Sequence, residues 1–279
     1  MFKYSLLYKA ALWEVYNHWK ESSPRWMKIK EKLFWTLSYS PYQCIAEFEW
    51  KEYSFRYLYW ELLRYFSWWR ESSFISQFAW LWSKIKDESG LLNSNYWNLV
   101  FYNVNKNWLT QYRWCLNSLI DDKDTRQAII HYNNTDHQDF WIKDFPCTLY
   151  QQFFIRNDTL YWISNMRSND LFYWTNYDVV WFSLVMQSLY IDLKNKYTDL
   201  KMWEMLHIWN SLHIYEKDFE KTEAILSSQK DENYTIQLNR SIQDIIIDWF
   251  DPLEYNTLTQ TKEEYIQNIE KLWISIVKI

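Results

Sequence analysis

The residues best suited to chemistry lie between Asp144 and Tyr177. Cys147 follows Pro146 and precedes a segment rich in aromatic and β-branched side chains. A cysteine acts as a nucleophile only as the thiolate, which a neighbouring cation favours. Isolated cysteines are more often buried and inert, so Cys147 alone decides nothing. Met166-Arg167-Ser168-Asn169-Asp170 then brings a cation, a hydroxyl, an amide and a carboxylate into one short run. Such a run is either a polar loop or, together with Arg25 and Arg126, an anion site, because guanidinium groups hold phosphate bidentately. Spacing along the chain does not by itself bring these groups together.

The elements around them follow from periodicity. Tyr4 to Lys20 carries apolar residues at three- and four-residue spacing and predicts a helix, ended by the proline of Ser22–Arg25. Leu58–Phe78 predicts helix with a break near Ser67, and Gln111–Leu119 a helix stopped by Asp121–Asp124. Ala128–Tyr132, Thr148–Arg156 and Thr159–Asn165 predict strands, with Arg156–Asp158 as a turn. Val179–Leu193 returns to helix. The segment from Lys221 to Ile279 is charged and predicts mostly helix, broken at Asp251–Pro252. Long helices beside antiparallel-looking strands predict an α+β fold. No repeat and no Pro/Gly/Ser-rich linker divides the 279 residues, which predicts a single domain over 1–279.

Composition narrows the function classes. The net charge of −5 gives no basic footprint, so no DNA binding is expected. No uncharged apolar run is long enough to cross a membrane. The first residues lack the pattern of a secretion signal. Cys44, Cys115 and Cys147 have no metal-ligand spacing and form no disulfide framework, so no metal is expected and a reducing, cytoplasmic setting fits.

The run KDFPCTLYQQFFIRNDTLYWISNMRSNDLFYWTNYDVVWF resembles the thymidylate synthase/deoxycytidylate hydroxymethylase family, with the flavour of its phage members. SSPRWMKIKE, WELLRYFS, LNSNYW, DKDTRQAIIHYNN and NSLHIYEKDFE match in the same order, covering roughly residues 1–220. The part from 221 to 279 has no placed counterpart. The resemblance implies a large bent mixed sheet packed by helices, and a homodimer joined sheet to sheet.

It also implies roles. Cys147 matches the nucleophile that adds to C6 of the pyrimidine, and Arg167 the arginine beside it. Arg25, Ser168 and Arg167 match phosphate ligands. Arg126 matches the arginine that reaches the phosphate from the partner subunit; Gln127 stands where a second arginine often follows. Glu61 matches the glutamate that relays protons at the base, and Tyr96 the tyrosine of the C5 proton-removal network. His213 and Tyr215 match the pair on the sugar hydroxyl. Trp82 and Asp170 match the folate side, where 5,10-methylenetetrahydrofolate is the co-substrate. Read from residue type alone, a lone helix glutamate is a solvated face, and a tyrosine, tryptophan or histidine here is packing.

Two departures bear on the substrate. Asp178 stands where members acting on uracil have an asparagine that reads the pyrimidine edge. A carboxylate accepts from the cytosine amine and repels O4 of uracil unless protonated. The closing residues ISIVKI do not match the tail that closes over folate, and closure excludes water. The resemblance therefore implies thymidylate synthase, converting dUMP to dTMP, as the leading reading. Deoxycytidylate hydroxymethylase is the alternative that Asp178 favours, and a non-catalytic nucleotide- or RNA-binding member is a third.

One number is abnormal: one glycine, Gly90, against 21 tryptophans. Average usage predicts roughly 20 glycines. Trp26, Trp60, Trp68, Trp97 and Trp174 stand where the family has glycine, and Trp19 and Trp141 join them, whereas Trp82 and Trp114 match family tryptophans. The hypothesis that fits is a UGA codon meaning glycine, as in some uncultured bacteria and their phages, read as tryptophan. UGG codons at Trp26, Trp60, Trp97 and Trp174 in the gene would sink it.

Overall fold

The computed structural model describes residues 3–67, 72–73, 75–79, 81–248 and 259–279, apart from the side chain of Arg25. The strands are β1 (Lys20–Ser22), β2 (Ile29–Tyr39), β3 (Gln43–Phe48), β4 (Ile129–His131), β5 (Thr148–Arg156), β6 (Thr159–Met166), β7 (Asn169–Asp170), β8 (Lys201–Tyr215), β9 (Asp231–Leu238) and β10 (Ile274–Lys278). The α-helices are α1 (Tyr4–Asn17), α2 (Phe55–Phe66), α3 (Leu81–Ile85), α4 (Gln111–Asp121), α5 (Thr175–Lys194), α6 (Phe219–Ser227), α7 (Ile242–Ile247) and α8 (Lys262–Glu270). The fold is α+β, as the pattern predicts.

The large sheet runs β1-β2-β8-β6-β5-β4, with β7 pairing β8. Its pairs are antiparallel except β6 with β8 and β7 with β8, which makes the sheet mixed. β5 and β6 alternate buried and half-buried residues, as strands with one face on a core do. α5 contributes Val179, Val180, Phe182, Leu184 and Val185 to that core. The 15-residue β8 is the register bar of the sheet, and its aromatic-rich sequence carries no clean alternation that would announce a strand.

From 221 onward the structure differs from the expected mostly helical segment. α6, α7 and α8 are present, but β9 and β10 pair with β3 as a second, three-stranded antiparallel sheet. ISIVKI is therefore mostly strand: Ile274–Lys278 pairs residue by residue with β9. This part is also tied to the rest, since the Gln187 side chain of α5 accepts from Leu238 N–H at 2.7 Å and donates to Ile236 C=O at 3.2 Å. Charged surface positions hid the short apolar alternation of β9, Tyr234, Ile236 and Leu238.

The tryptophans bear on local backbone. Gly90 has φ +80°, and Trp26, Trp108 and Trp273 occupy the same left-handed half of backbone space at φ 66°, 60° and 60°. That region clashes with a Cβ and is a rare place for a bulky residue. Trp273 follows α8 where a glycine cap commonly stands. Trp26 and Trp108 point into solvent. Trp60 and Trp97, in contrast, are buried in the core, where Trp60 stacks on Phe78 at 4.4 Å and Trp97 on Phe101 at 4.5 Å. Trp68 lies outside the described residues.

Candidate active site

The β5–β6 hairpin assembles the thiol and its cation. Asn157 and Asp158, both with positive φ, form its tight turn, the conformation a two-residue hairpin turn requires. The register then pairs Arg156 with Thr159 and continues up to Tyr150 with Asn165, where it shifts so that Thr148 faces Met166. The shift at Leu149 is a bulge, and it brings the residues beyond the two strand ends, Cys147 and Arg167, face to face. Arg167 N–H donates to Cys147 C=O at 2.9 Å. Its guanidinium donates to Phe145 C=O at 2.7 Å and Pro146 C=O at 3.1 Å, and lies 3.8 Å from Cys147 Sγ. Two carbonyls thus hold the cation where it meets charge on the sulfur. Cys147 is half-buried, open enough for a small molecule to reach.

Tyr96 closes one side. Its hydroxyl accepts from Thr148 N–H at 3.1 Å, next to Cys147. Burial, then the Cys147 and Asp178 charges, hold its phenol well above the usual range.

Glu61 sits on the buried face of α2. Tyr57, one turn earlier, donates to its Oε1 at 3.0 Å, and Trp82 Nε1–H donates to the Tyr57 hydroxyl at 3.3 Å. Tyr65, one turn later, also hydrogen-bonds Glu61. Burial pushes the Glu61 carboxyl up to about 7, against the lowering from Tyr65, Tyr57 and the Arg64 guanidinium. A carboxyl poised near neutrality suits proton transfer in both directions. Tyr57 and Tyr65 were not singled out from sequence, although tyrosines four residues before and after a helical glutamate share its face.

A second cluster faces α5. Asp178 lies in the first turn of that helix, half-buried, and its Oδ2 accepts from Asn169 Nδ2–H at 2.7 Å. Burial and the Glu61 and Asp170 charges push the Asp178 carboxyl up to about 8, outweighing the Asn169 hydrogen bond. A helix N-terminus stabilises a carboxylate by about 0.3–1 kcal/mol, too little to reverse this. Asp170 accepts from Phe172 and Tyr173 N–H at 2.9 and 3.2 Å, and burial lifts it to about 6. The parallel pairing of β7 with β8 sets Asp170 beside His213, which meets Tyr215 edge-on at 5.0 Å. Ser168 is half-buried in the link between β6 and β7.

The remaining candidates are elsewhere. Arg126 is exposed before β4 and borders an open cavity of about 780 Å³ with Lys106, Gln111, Trp114 and His131. Arg25 lies in the short turn Pro24–Trp26, and its side chain is outside the described residues. A further cavity of about 330 Å³ adjoins the Asp170 loop and is lined by Lys51, Tyr53, Ser54, Phe172, Tyr173 and Tyr177 among others. Lys51, which sequence reasoning missed, donates to Tyr8 Oη at 2.7 Å and to Phe172 C=O. Burial lowers its ammonium to about 7 despite Asp170 and Asp218. Among the described residues no cluster of His, Cys, Asp and Glu has the makings of a metal site.

The profile of the family described as Thymidylate synthase matches residues 26–266. The chain belongs to the thymidylate synthase family. The match runs well past residue 220, so most of the segment without a placed counterpart belongs to the family too. Thermostable thymidylate synthase A from Bacillus subtilis has the same fold, with a TM-score of 0.67 at 14% identity over 90% of this chain and 93% of that one. Deoxycytidylate 5-hydroxymethyltransferases of Enterobacteria phages T4 and T6 are each 30% identical over 145 residues, 50% of this chain and 58% of theirs. The chain thus spans little more than half the length of these curated relatives. Both kinds of protein transfer a one-carbon group, and the family is one of such enzymes.

Proposed function

We propose that the chain transfers a one-carbon unit to C5 of a pyrimidine deoxynucleoside monophosphate, with dCMP the preferred substrate and a hydroxymethyl product. The observation that carries the substrate choice is Asp178, raised to about 8 and held by Asn169. A neutral carboxyl has one donor and one acceptor, the complement of N3 and the N4 amine of cytosine. The hydroxymethyltransferase names of the phage relatives agree with this choice.

Cys147 adds through sulfur to C6, and Arg167, 3.8 Å from that sulfur, stabilises the negative charge before addition. Electrons arriving at C5 make that carbon nucleophilic. Glu61, fixed by Tyr57 and Trp82, exchanges protons with the base, and Tyr96, a phenol that stays protonated beside Cys147, orders the solvent that takes up the C5 proton. C5 bonds to the methylene carbon, and loss of the C5 proton releases tetrahydrofolate from that carbon. Water then adds to the exocyclic methylene to give the hydroxymethyl group, and elimination of the Cys147 thiolate restores the ring. Arg25, Arg167 and Ser168 hold the phosphate, and His213 with Tyr215 the sugar. The cavity beside Asp170 has aromatic walls, two lysines and one glutamate, a net positive lining for a flat heteroaromatic with an anionic tail, and 5,10-methylenetetrahydrofolate bound there supplies the methylene carbon. Trp82 and Asp170 line its approach.

A homodimer completes the site in this reading. Phe34, Trp203 and Leu206 stand exposed on the large sheet, apolar surface of the kind that packs against a second copy. Arg126, exposed and held at its carbonyl by Gln152 of β5 rather than beside Cys147, then serves the partner's phosphate. The enzyme works in the cytoplasm.

The second reading, reductive methylation of dUMP, draws support from the same raised Asp178: a neutral carboxyl also carries the donor that O4 takes and the acceptor that N3–H needs. Calorimetric titration with dCMP and dUMP separates them. Binding of dCMP at least roughly tenfold tighter supports the cytosine reading, since an unpaired buried polar group costs about 1–3 kcal/mol; equal or reversed affinities refute it. Retention of full activity by Cys147→Ser would move the chain to the non-catalytic, nucleotide- or RNA-binding reading.

A further inference from the structure

We propose that Asn169 is a positioning residue that decides which oxygen of Asp178 accepts and which donates, and so sets the base preference. The inference rests on the reading of Asp178 as the base-edge residue. Asn169 is 3% exposed and every polar atom of its amide has a fixed partner. Its Oδ1 accepts from the Thr175 hydroxyl at 2.5 Å, a distance suited to an O–H donor and too short for an N–H. Its Nδ2 lies 3.0 Å from Met166 Sδ and 2.7 Å from Asp178 Oδ2. Thioether sulfur is a weak acceptor, so it favours the amide nitrogen, not the oxygen, on that side. Thr175 and Met166 therefore lock the amide with N–H directed at Asp178.

The consequence is a polarity at Asp178. The oxygen next to Asn169 accepts in either protonation state. In the neutral acid it is the carbonyl oxygen, and the proton lies on Oδ1, the far one. Rotating the carboxyl by half a turn changes nothing, because whichever oxygen lies next to Asn169 becomes the acceptor. Cytosine presents acceptor then donor along N3 and N4, and uracil presents the reverse. A carboxyl of fixed polarity satisfies one edge and leaves two groups of the other opposed.

This differs from a reading in which the charge or type of residue 178 alone selects the base. In Asp178→Asn the new amide has the same choice: its oxygen turns to Asn169 and its NH2 takes the far side. The preference then survives the substitution, and releasing it requires Asn169 as well.

The test measures kcat/KM for dCMP and dUMP in the full chain, for wild type, Asp178→Asn, Asn169→Ala and the double variant. Asp178→Asn keeps the wild-type order of the two substrates, and the double variant loses it, with the ratio falling at least roughly tenfold. An Asp178→Asn protein that reverses the order by itself overturns the inference, as does a double variant that keeps the wild-type ratio. Should Asn169→Ala fail to fold, Thr175→Val in the Asp178→Asn background replaces it: loss of the hydroxyl frees the amide to turn, and the ratio again falls if the inference holds and stays if it does not. The wild-type ratio separately tests the function above. A wild type preferring dUMP contradicts the cytosine reading, while the response of its order to Asn169 still decides this inference.

Discussion

At the residue scale, chemistry depends on groups whose surroundings place them away from their ordinary protonation. Glu61 at about 7 and Asp178 at about 8 lie within reach of each other's charge, so the first proton lost from the pair makes the second harder to remove. Glu61→Gln keeps the shape and removes the proton exchange. Its kcat falls by roughly 10²–10⁴-fold with nucleotide affinity nearly unchanged, measured by steady-state kinetics and titration. A fall under threefold would mean that Glu61 only fills space. Tyr57→Phe leaves the carboxyl without one donor and gives a smaller loss of kcat. Glu61 and Cys147 were legible from local motifs, whereas Lys51, Tyr57 and Asn169 matter through the partners that folding gives them. Tyr57 carried a signal in its four-residue offset from Glu61, and Asn169 in the polar run from Met166 to Asp170.

At the scale of elements, the β5–β6 hairpin fixes the distance between Cys147 and Arg167, and its turn depends on Asn157 and Asp158 at positive φ. The sequence marked this hairpin well, because turn residues and β-branched alternation agree. It marked β8 and β9 poorly: β8 is aromatic on both faces, and β9 lies within a charged stretch. Among the described residues four other non-glycine positions have positive φ, namely Phe34 and the tryptophans Trp26, Trp108 and Trp273. Replacing each of these tryptophans with glycine removes a Cβ clash and raises unfolding free energy by about 1 kcal/mol, measured by urea denaturation. Unchanged or lower stability in all three would contradict the assignment of these backbones to glycine, and with it the codon reading that Trp26 shares with Trp60 and Trp97. Trp60 and Trp97 form a different case, since their buried rings fill volume and Trp→Gly there also opens a cavity.

At the scale of the whole molecule, the raised carboxyls make stability depend on pH in a definite direction. Asp170 at about 6, Glu61 at about 7 and Asp178 at about 8 all lie above the unfolded values. The folded state therefore binds more protons in this window. The contribution of these carboxyls is highest below the unfolded values and falls as pH rises from about 5 to 8. Lys51, lowered to about 7, and His207, lowered to about 3, act in the opposite direction. Chemical denaturation at intervals across that range checks the slope, and Asp178→Asn flattens its upper part. Stability that rises with pH would mean these carboxyls are charged and paired in the folded protein. Assembly belongs to this scale too. A dimer is the expected outcome of sedimentation, and Trp203→Glu, a charge on the exposed sheet face, is expected to yield monomers that lose activity because Arg126 no longer reaches a partner. Active monomers would remove Arg126 from the site.

In the proposed chemistry Cys147 activates C5 of a pyrimidine nucleotide, cytosine in preference, for one-carbon transfer. Tritium release from C5-labelled dCMP and dUMP with methylenetetrahydrofolate, with the product identified, tests it most directly. The expected result is release from dCMP with 5-hydroxymethyl product, little from dUMP, and none from either with Cys147→Ser. Release from dUMP alone with dTMP formed would contradict the substrate choice, and no release from either nucleotide would contradict the chemistry.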